Sequence, residues 1–266
     1  MIRLGMLGNG RWASKILATL DKMGAADGNI EVVMLLEHRT DPWLERLHDH
    51  SRRPLDGIII ATPPATHVAM LEEALELSIP AFVEKPLTMS WKEAALVNLK
   101  TSERPDVPIV VDHIHLFHPA YRAMKTHMRE HGLRPIHIES TGGGDGPFRD
   151  DCSSLWDYGA HDVAYAVDLL GGRPDNVQIS RSPTQASKGE NFAVLFQRGG
   201  VNAYLSFGNA FREKTRRLKV HCGAGPVFVI DDRAERPLSM NGDAIQTAKT
   251  SPLEVALTVF LHAIEK

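Results

Sequence analysis

"DGIIIATPPATHVAMLEEALELSIPAFVEKPLTMS" (56–90) decides the fold. It holds two short apolar runs, GIIIA (57–61) and AFVE (81–84), on either side of ATHVAMLEEALEL (65–77). Neither run alternates polar with apolar residues. That is the mark of a strand covered on both faces in a parallel sheet, and the intervening stretch has helical period. Working outward, IRLGML (2–7) and IEVVMLL (30–36) read as two more strands. Between them RWASKILATLDKMG (11–24) places Trp12, Ile16, Leu17, Leu20 and Met23 on one helical stripe. Downstream, SWKEAALVNLK (90–100) opens with a capping box from Ser90 to Glu93, and PIVVD (108–112) is a fifth strand. Alternating strands and helices with short links predict an open, doubly wound parallel sheet with right-handed crossovers. Its ligand is expected beyond the carboxyl ends of the strands.

After residue 113 the rhythm changes. A helix, PAYRAMKTHMREHG (119–132), leads to a strand, IHIESTGGG (136–144), and a second helix, GAHDVAYAVDLLGG (159–172). From there to about residue 231 the chain is strand-like with tight glycine-rich links, which predicts a largely antiparallel sheet with helices on one face. The fold class is therefore α/β: a doubly wound parallel-sheet domain over 1–113, and an α+β domain with a largely antiparallel open sheet over 114–266.

Composition supports a globular chain whose partners are small molecules or its own copies. Of 266 residues, 43% are hydrophobic and 24% charged, with a formal net charge of −3. There is no run of five like charges, so neither nucleic acid nor a membrane surface is an expected partner. Cys152 and Cys222 are the only cysteines, which fits a reducing compartment. The start MIRLGMLGNG does not read as a signal peptide, and a cytoplasmic protein is expected.

GMLGNGRWA gives Gly8-x-Gly10-x-x-Ala13 at the junction of the first strand and helix. Here Gly8 permits the turn, Gly10 lets a pyrophosphate approach the backbone, and Ala13 keeps helix and sheet close. Asn9, Arg11 and Trp12 share this cofactor-facing segment, whose helix N-terminus suits phosphate. Glu37 ends the second strand, where a carboxylate binds the adenosine ribose hydroxyls. His38 and Arg39 follow; Arg39 would attract a 2′-phosphate that Glu37 repels, so NAD is favoured and NADP remains open. Thr62, Pro63 and His67 follow the third strand and are grouped with the cofactor site, although prolines at a helix start and a capping or packed histidine explain them structurally. Glu84 and Lys85 close the fourth strand on the edge where a nicotinamide is delivered. A lysine there exchanges a proton as a hydride moves at an adjacent carbon, while Glu84 orients the lysine or the cofactor amide. A loop lysine paired to its neighbouring glutamate is the bland alternative.

Taken together, residues 56–90 and GMLGNGRWA resemble the Gfo/Idh/MocA oxidoreductases, the family of glucose–fructose oxidoreductase and inositol dehydrogenase. The resemblance implies that Lys85, in the Glu-Lys-Pro triplet, takes part in catalysis. LWDYGAHDVAYAVDLLGG (155–172) is similar to the family's Asp-x-Gly-x-His segment, which implies a substrate-binding Asp157 and a catalytic His161. A helix cap and a packed imidazole are the corresponding structural readings. The implied reaction is hydride transfer between a nicotinamide and a secondary alcohol or ketone of a sugar, cyclitol or nucleotide sugar. The implied assembly is a homodimer or homotetramer built through the second domain's sheet.

Three departures stand out. Ala164 occupies a place where relatives carry an acid. VDHIHLFHPAYR (111–122) offers His113, His115 and His118; if extended, His113 and His115 would share a face, but pocket lining explains them and no metal is expected. The chain stops at FLHAIEK, where relatives continue into a further helix on the first domain. Arg149, Arg212, Arg216 and Arg217 are candidate partners for a diphosphate. Two other functions stay open: reduction of an imine, enone or tetrapyrrole, and a non-catalytic dinucleotide-binding sensor or assembly protein.

Overall fold

In the computed structural model, residues 1–37, 42, 43, 45, 46, 54–182, 189–223 and 225–266 are described. They form two compact units, Met1–Asp112 with Pro252–Lys266, and His113–Ser251. Among them no helix is long and apolar enough to cross a membrane.

The first unit is a five-stranded parallel sheet, formed by β1 (Ile2–Leu7), β2 (Ile30–Leu36), β3 (Gly57–Ile60), β4 (Ala81–Glu84) and β5 (Ile109–Asp112). The strand order β2-β1-β3-β4-β5 reverses direction between β1 and β3, the switch point where such sheets bind ligands. Every residue of β3 and β4 is buried, as their unbroken apolar runs predict. α1 (Arg11–Asp27) buries Ala13, Ile16 and Leu20. A 3₁₀ turn (Pro64–Thr66) precedes α2 (His67–Glu76), which buries Met70, Leu71, Ala74 and Leu75. α3 (Trp91–Glu103) starts at Ser90, whose Oγ accepts from Glu93 N–H at 3.4 Å. The expected capping box is only half formed. Glu93 instead takes the Thr88 hydroxyl, and that same Thr88 oxygen accepts the Ser90 N–H at 3.0 Å, so the reciprocal bond passes through a third side chain.

The second unit carries α4 (Pro119–Glu130), β6 (Pro135–Asp145), α5 (Ser154–Asp157) and α6 (Gly159–Leu170). The strands β7 (Asn176–Ser182), β8 (Asn191–Arg198), β9 (Val201–Gly208) and β10 (Ala210–Cys222) follow, then β11 (Val227–Asp231), β12 (Leu238–Met240) and β13 (Asp243–Ile245). The eight strands lie in the order β13-β12-β11-β10-β6-β9-β8-β7. All neighbours are antiparallel except β6 and β9. The sheet continues past residue 231, where the sequence reading stopped. Tyr121, Met124 and Met128 of α4, with Tyr165, Ala166 and Leu169 of α6, pack against Ile138, Phe192, Leu205, Val220 and Phe228. Alternation along β6 turns His137, Glu139 and Thr141 away from buried Ile138 and Ser140, so the sheet has one core face and one open face.

One expectation is corrected. The second unit begins at His113 and ends at Ser251, so a contiguous 114–266 domain is not what forms. The closing segment, read as part of the second domain, forms α7 (Pro252–Ile264) and belongs to the first unit. Its buried Leu253, Ala256, Leu257, Phe260 and Leu261 recur at helical spacing, a signal legible in the sequence. Phe260 is fully buried, with its ring centroid 5.7 Å from that of Phe82 on β4. Phe260→Ala is expected to destabilise the first unit by about 3–5 kcal/mol, read from the midpoint of urea unfolding followed by far-UV circular dichroism.

Candidate functional site

At the carboxyl edge of the parallel sheet, β1 turns into α1 through Gly8. Its φ is +117°, and an added Cβ would stand 2.4 Å from the Ala61 carbonyl oxygen, so only glycine passes beneath the exit of β3. Gly10 is the N-cap of α1; no side chain caps the helix, and the space over the Gly10 Cα is open. Asn9 and Arg11 are exposed and Ala13 is buried. An uncapped helix N-terminus with an open approach over glycine fits a dinucleotide pyrophosphate. Glu37 lies exposed just beyond β2 on the same edge, while His38 and Arg39 fall outside the described residues.

Two strands away, Glu84 ends β4 and Asp112 ends β5, paired in register. Both are buried, at 7% and 1% exposure. Glu84 Oε1, both Asp112 oxygens and Trp12 Nε1 are buried without a hydrogen bond of ordinary geometry. Burial, followed by the Asp112 charge, pushes Glu84 well above the usual carboxylate range. Burial also raises Asp112, to about 6, against the opposing pull of Glu84, Trp12 and Lys85. Two adjacent carboxylates out of water cannot both ionise cheaply, so the pair keeps a proton to higher pH than free carboxylates do. Lys85, half-buried, follows at once, with a cis peptide to Pro86. Asp112 was not singled out in the sequence. The signal was there: an acid ends each of two successive buried strands.

His67 is corrected from cofactor ligand to brace. It is fully buried, with Nε2 2.8 Å from the Thr62 carbonyl and Nδ1 2.9 Å from the Pro86 carbonyl. Burial lowers its pKa, and the two carbonyls oppose that. With both ring nitrogens occupied, it ties the loop after β3 to the turn that carries Lys85. Thr62 is spent on structure too, its Oγ1 lying 2.7 Å from Thr66 Oγ1, while Pro63 is the N-cap of the 3₁₀ turn.

In the second unit, Asp157 closes α5 and His161 lies in the first turn of α6. Ser153, not Asp157, is the N-cap: its Oγ accepts from Leu155 N–H at 3.3 Å. The helix tightens at Tyr158, whose carbonyl accepts the His161 N–H at 3.2 Å. Gly159 is required there, since a Cβ would come within 2.6 Å of the Phe207 ring. His161 meets His115 edge-on, ring centroids 4.4 Å apart, and His115 lies 5.8 Å from Tyr165. The next residue, Asp162, is wholly buried; it takes Ser140 Oγ at 2.5 Å and Arg216 Nη1 at 2.7 Å. These bonds fix the start of α6 to β6 and β10, and with it the backbone of His161. His113 is the N-cap of a 3₁₀ turn (Ile114–Phe117), so the extended alternation that would have aligned His113 with His115 is not formed. His118 caps α4: its Nδ1 accepts from Ala120 N–H at 3.1 Å, and its Nε2 lies 3.9 Å from Asp232. Of the arginines considered for a diphosphate, Arg216 is held by Asp162 and Arg149 makes a two-pronged pair with Asp151. Arg217 lies 4.0 Å from Asp231, and Arg212 is exposed.

Residues 2–113 match the GFO_IDH_MocA model, described as an oxidoreductase family with an NAD-binding Rossmann fold. That match joins the first unit to the Gfo/Idh/MocA oxidoreductases by similarity. UDP-N-acetylglucosamine 3-dehydrogenase of Acidithiobacillus ferrooxidans is 25% identical over 296 aligned residues, which span 99% of this chain and 88% of that protein. A solved structure of that enzyme superposes with a TM-score of 0.79. One from Magnetospirillum magnetotacticum MS-1 reaches 0.85 at 27% identity, covering 100% of this chain and 92% of its own. The scyllo-inositol 2-dehydrogenase (NAD(+)) of Bacillus subtilis is 36% identical over 86 residues, 32% of this chain and 25% of that protein. The matched segment brings its glycine turn, Glu37 and the Glu84–Lys85 end of β4 to one sheet edge.

The raised Asp112 pKa sets a sign for stability against pH. A carboxylate whose folded pKa lies above its unfolded value contributes stability when protonated and loses it as pH rises. Asp112→Asn is expected to remove that loss across the window from about pH 4 to pH 6. It should leave the variant more stable than the parent above that window by on the order of 1–3 kcal/mol, checked by urea unfolding at a series of pH values.

Proposed function

We propose that this chain is an NAD(P)-dependent oxidoreductase acting on a secondary alcohol, or the matching ketone, of a sugar, cyclitol or nucleotide sugar. The observation that carries this reading is the position of Lys85: it follows β4 at the carboxyl edge of an NAD-binding sheet, next to two buried carboxylates. The alignment of nearly the whole chain with a nucleotide-sugar dehydrogenase supports it. Glu37, beyond β2, favours the unphosphorylated ribose of NAD.

The Gly8–Ala13 turn and Glu37 would hold a nicotinamide cofactor, which would supply the acceptor or donor for the hydride of the reacting carbon. In the oxidative direction Lys85 takes the hydroxyl proton as the C–H bond gives up its electron pair, leaving a ketone; in reduction it returns the proton. Asp112, the more acidic of the buried pair, places negative charge behind the ammonium formed at Lys85, and the His67 brace holds the turn. In the second unit, Asp157 binds substrate hydroxyls, and the backbone of His161 is set by the Asp162–Arg216 pair. His115 packs on the His161 ring and limits its rotation.

The test is to record nicotinamide absorbance with NAD and NADP against a panel of sugars, cyclitols and nucleotide sugars. Wild type should turn over at least one of them. Lys85→Ala should lose about 10²–10⁴ in kcat/KM, about 3–5 kcal/mol, while binding the cofactor normally. Unchanged turnover in Lys85→Ala would overturn the assignment.

A further inference from the structure

On the open face of the second unit's sheet, far from any role in the hydride chemistry above, β6 and β10 run antiparallel with His137 directly opposite His221 and Glu139 opposite Lys219. Alternation puts all four side chains on one face. The two imidazoles converge on one atom: His137 Nε2 lies 3.4 Å and His221 Nε2 3.3 Å from Glu139 Oε1. Lys219 Nζ lies 3.4 Å from the same oxygen. Tyr204 of β9 stands beside them, its ring centroid 5.2 Å from that of His137.

We propose that His137, Glu139 and His221 form a binding site for one divalent transition-metal cation, matched best by Zn²⁺. Three observations support it. First, two neutral-imidazole nitrogens and a carboxylate are a ligand set that zinc takes with its fourth position open to water. Second, the separations are long for charge-assisted hydrogen bonds, which settle at about 2.7–2.9 Å. They equal the distance between neighbouring ligands on a tetrahedral ion with bonds of about 2.0–2.1 Å, which is about 3.3–3.4 Å. All three ligand atoms lie within 4.8 Å of one another. Third, the ligands stand on paired strands in the middle of an eight-stranded sheet, so the backbone fixes their spacing before any ion arrives.

The charges around the site favour the cation in one respect and oppose it in another. Glu139 brings a carboxylate to the site, and His137, His221 and Lys219 all crowd its Oε1. Lys219 is then the competitor. Its ammonium and a metal ion want the same oxygen, and its long, half-exposed stem lets it swing aside. The three ligands are themselves half-exposed, which leaves an entry path for the ion.

Equilibrium dialysis of the chelator-stripped full chain against Zn²⁺, with metal measured by atomic emission, tests the site. Wild type should retain one Zn²⁺ per chain. His137→Ala with His221→Ala should weaken binding by at least about 10–100-fold, since loss of an outer partner alone costs that much. Glu139→Gln, which keeps the shape, should weaken it as well, and Lys219→Met should tighten it. Circular dichroism confirms folding, and Co²⁺ in place of Zn²⁺ should give the intense visible bands of a tetrahedral site in wild type and not in the double variant. His127 and His131 on α4, stacked at 4.1 Å, are a rival pair with no third ligand among the described residues. No retained Zn²⁺ in wild type, or binding that survives loss of His137 and His221 but not of His127 and His131, overturns the proposal.

Discussion

Burial on both faces is the constraint from which the first unit follows. The four residues of β3 and the four of β4 are all buried, and none before Glu84 carries a polar side chain. Fully burying an isoleucine or phenylalanine is worth about 1.5–3 kcal/mol, so a polar group in mid-strand would cancel the gain from a neighbour. Polar chemistry is therefore confined to the carboxyl ends, and the glycine turn, Glu84, Lys85 and Asp112 are found there. The same confinement removes water from Glu84 and Asp112, which is why both carboxyls are pushed above their usual range. The placement of the site and the chemistry of its acids have one cause.

The second unit meets a different problem, because it buries a full charge. Asp162 has no exposed surface, and it is tolerated because Ser140 and Arg216 satisfy it from two strands. A pair of this kind adds little net stability over an apolar packing, yet breaking it is costly. Its value here is positional. It determines where α6 begins, and so where the residue before Asp162, His161, leaves the helix. His67 plays the same part in the first unit, spending both ring nitrogens on carbonyls to hold a turn.

What could be read from the sequence was what is local. The glycine turn, the unbroken strands, the Glu-Lys-Pro triplet and the helix around His161 each lie within a dozen residues, and their periods and spacings are visible without a fold. Asp112 and Asp162 escaped because their meaning comes from partners 22 to 54 residues away, Glu84 for the first and Ser140 and Arg216 for the second; Arg216 was noticed as a candidate for a diphosphate, not as the partner of Asp162. His67 was noticed, but its role depends on Pro86, 19 residues on, and no local pattern reveals that. The half-formed capping box failed for a similar reason: Thr88 offered Glu93 a better hydroxyl than the distant N–H it was expected to reach.

The return of α7 to the first unit bears on how the chain is made. Synthesis runs from the amino end, so the parallel sheet emerges complete but without its last cover. All of the second unit, His113–Ser251, must be extruded before Phe260 can reach Phe82. For that interval the apolar surface over β4 and β5 lies open on the nascent chain, and the first unit to be translated is the last to be finished. A gene fragment ending at the domain boundary would inherit the same exposed surface permanently.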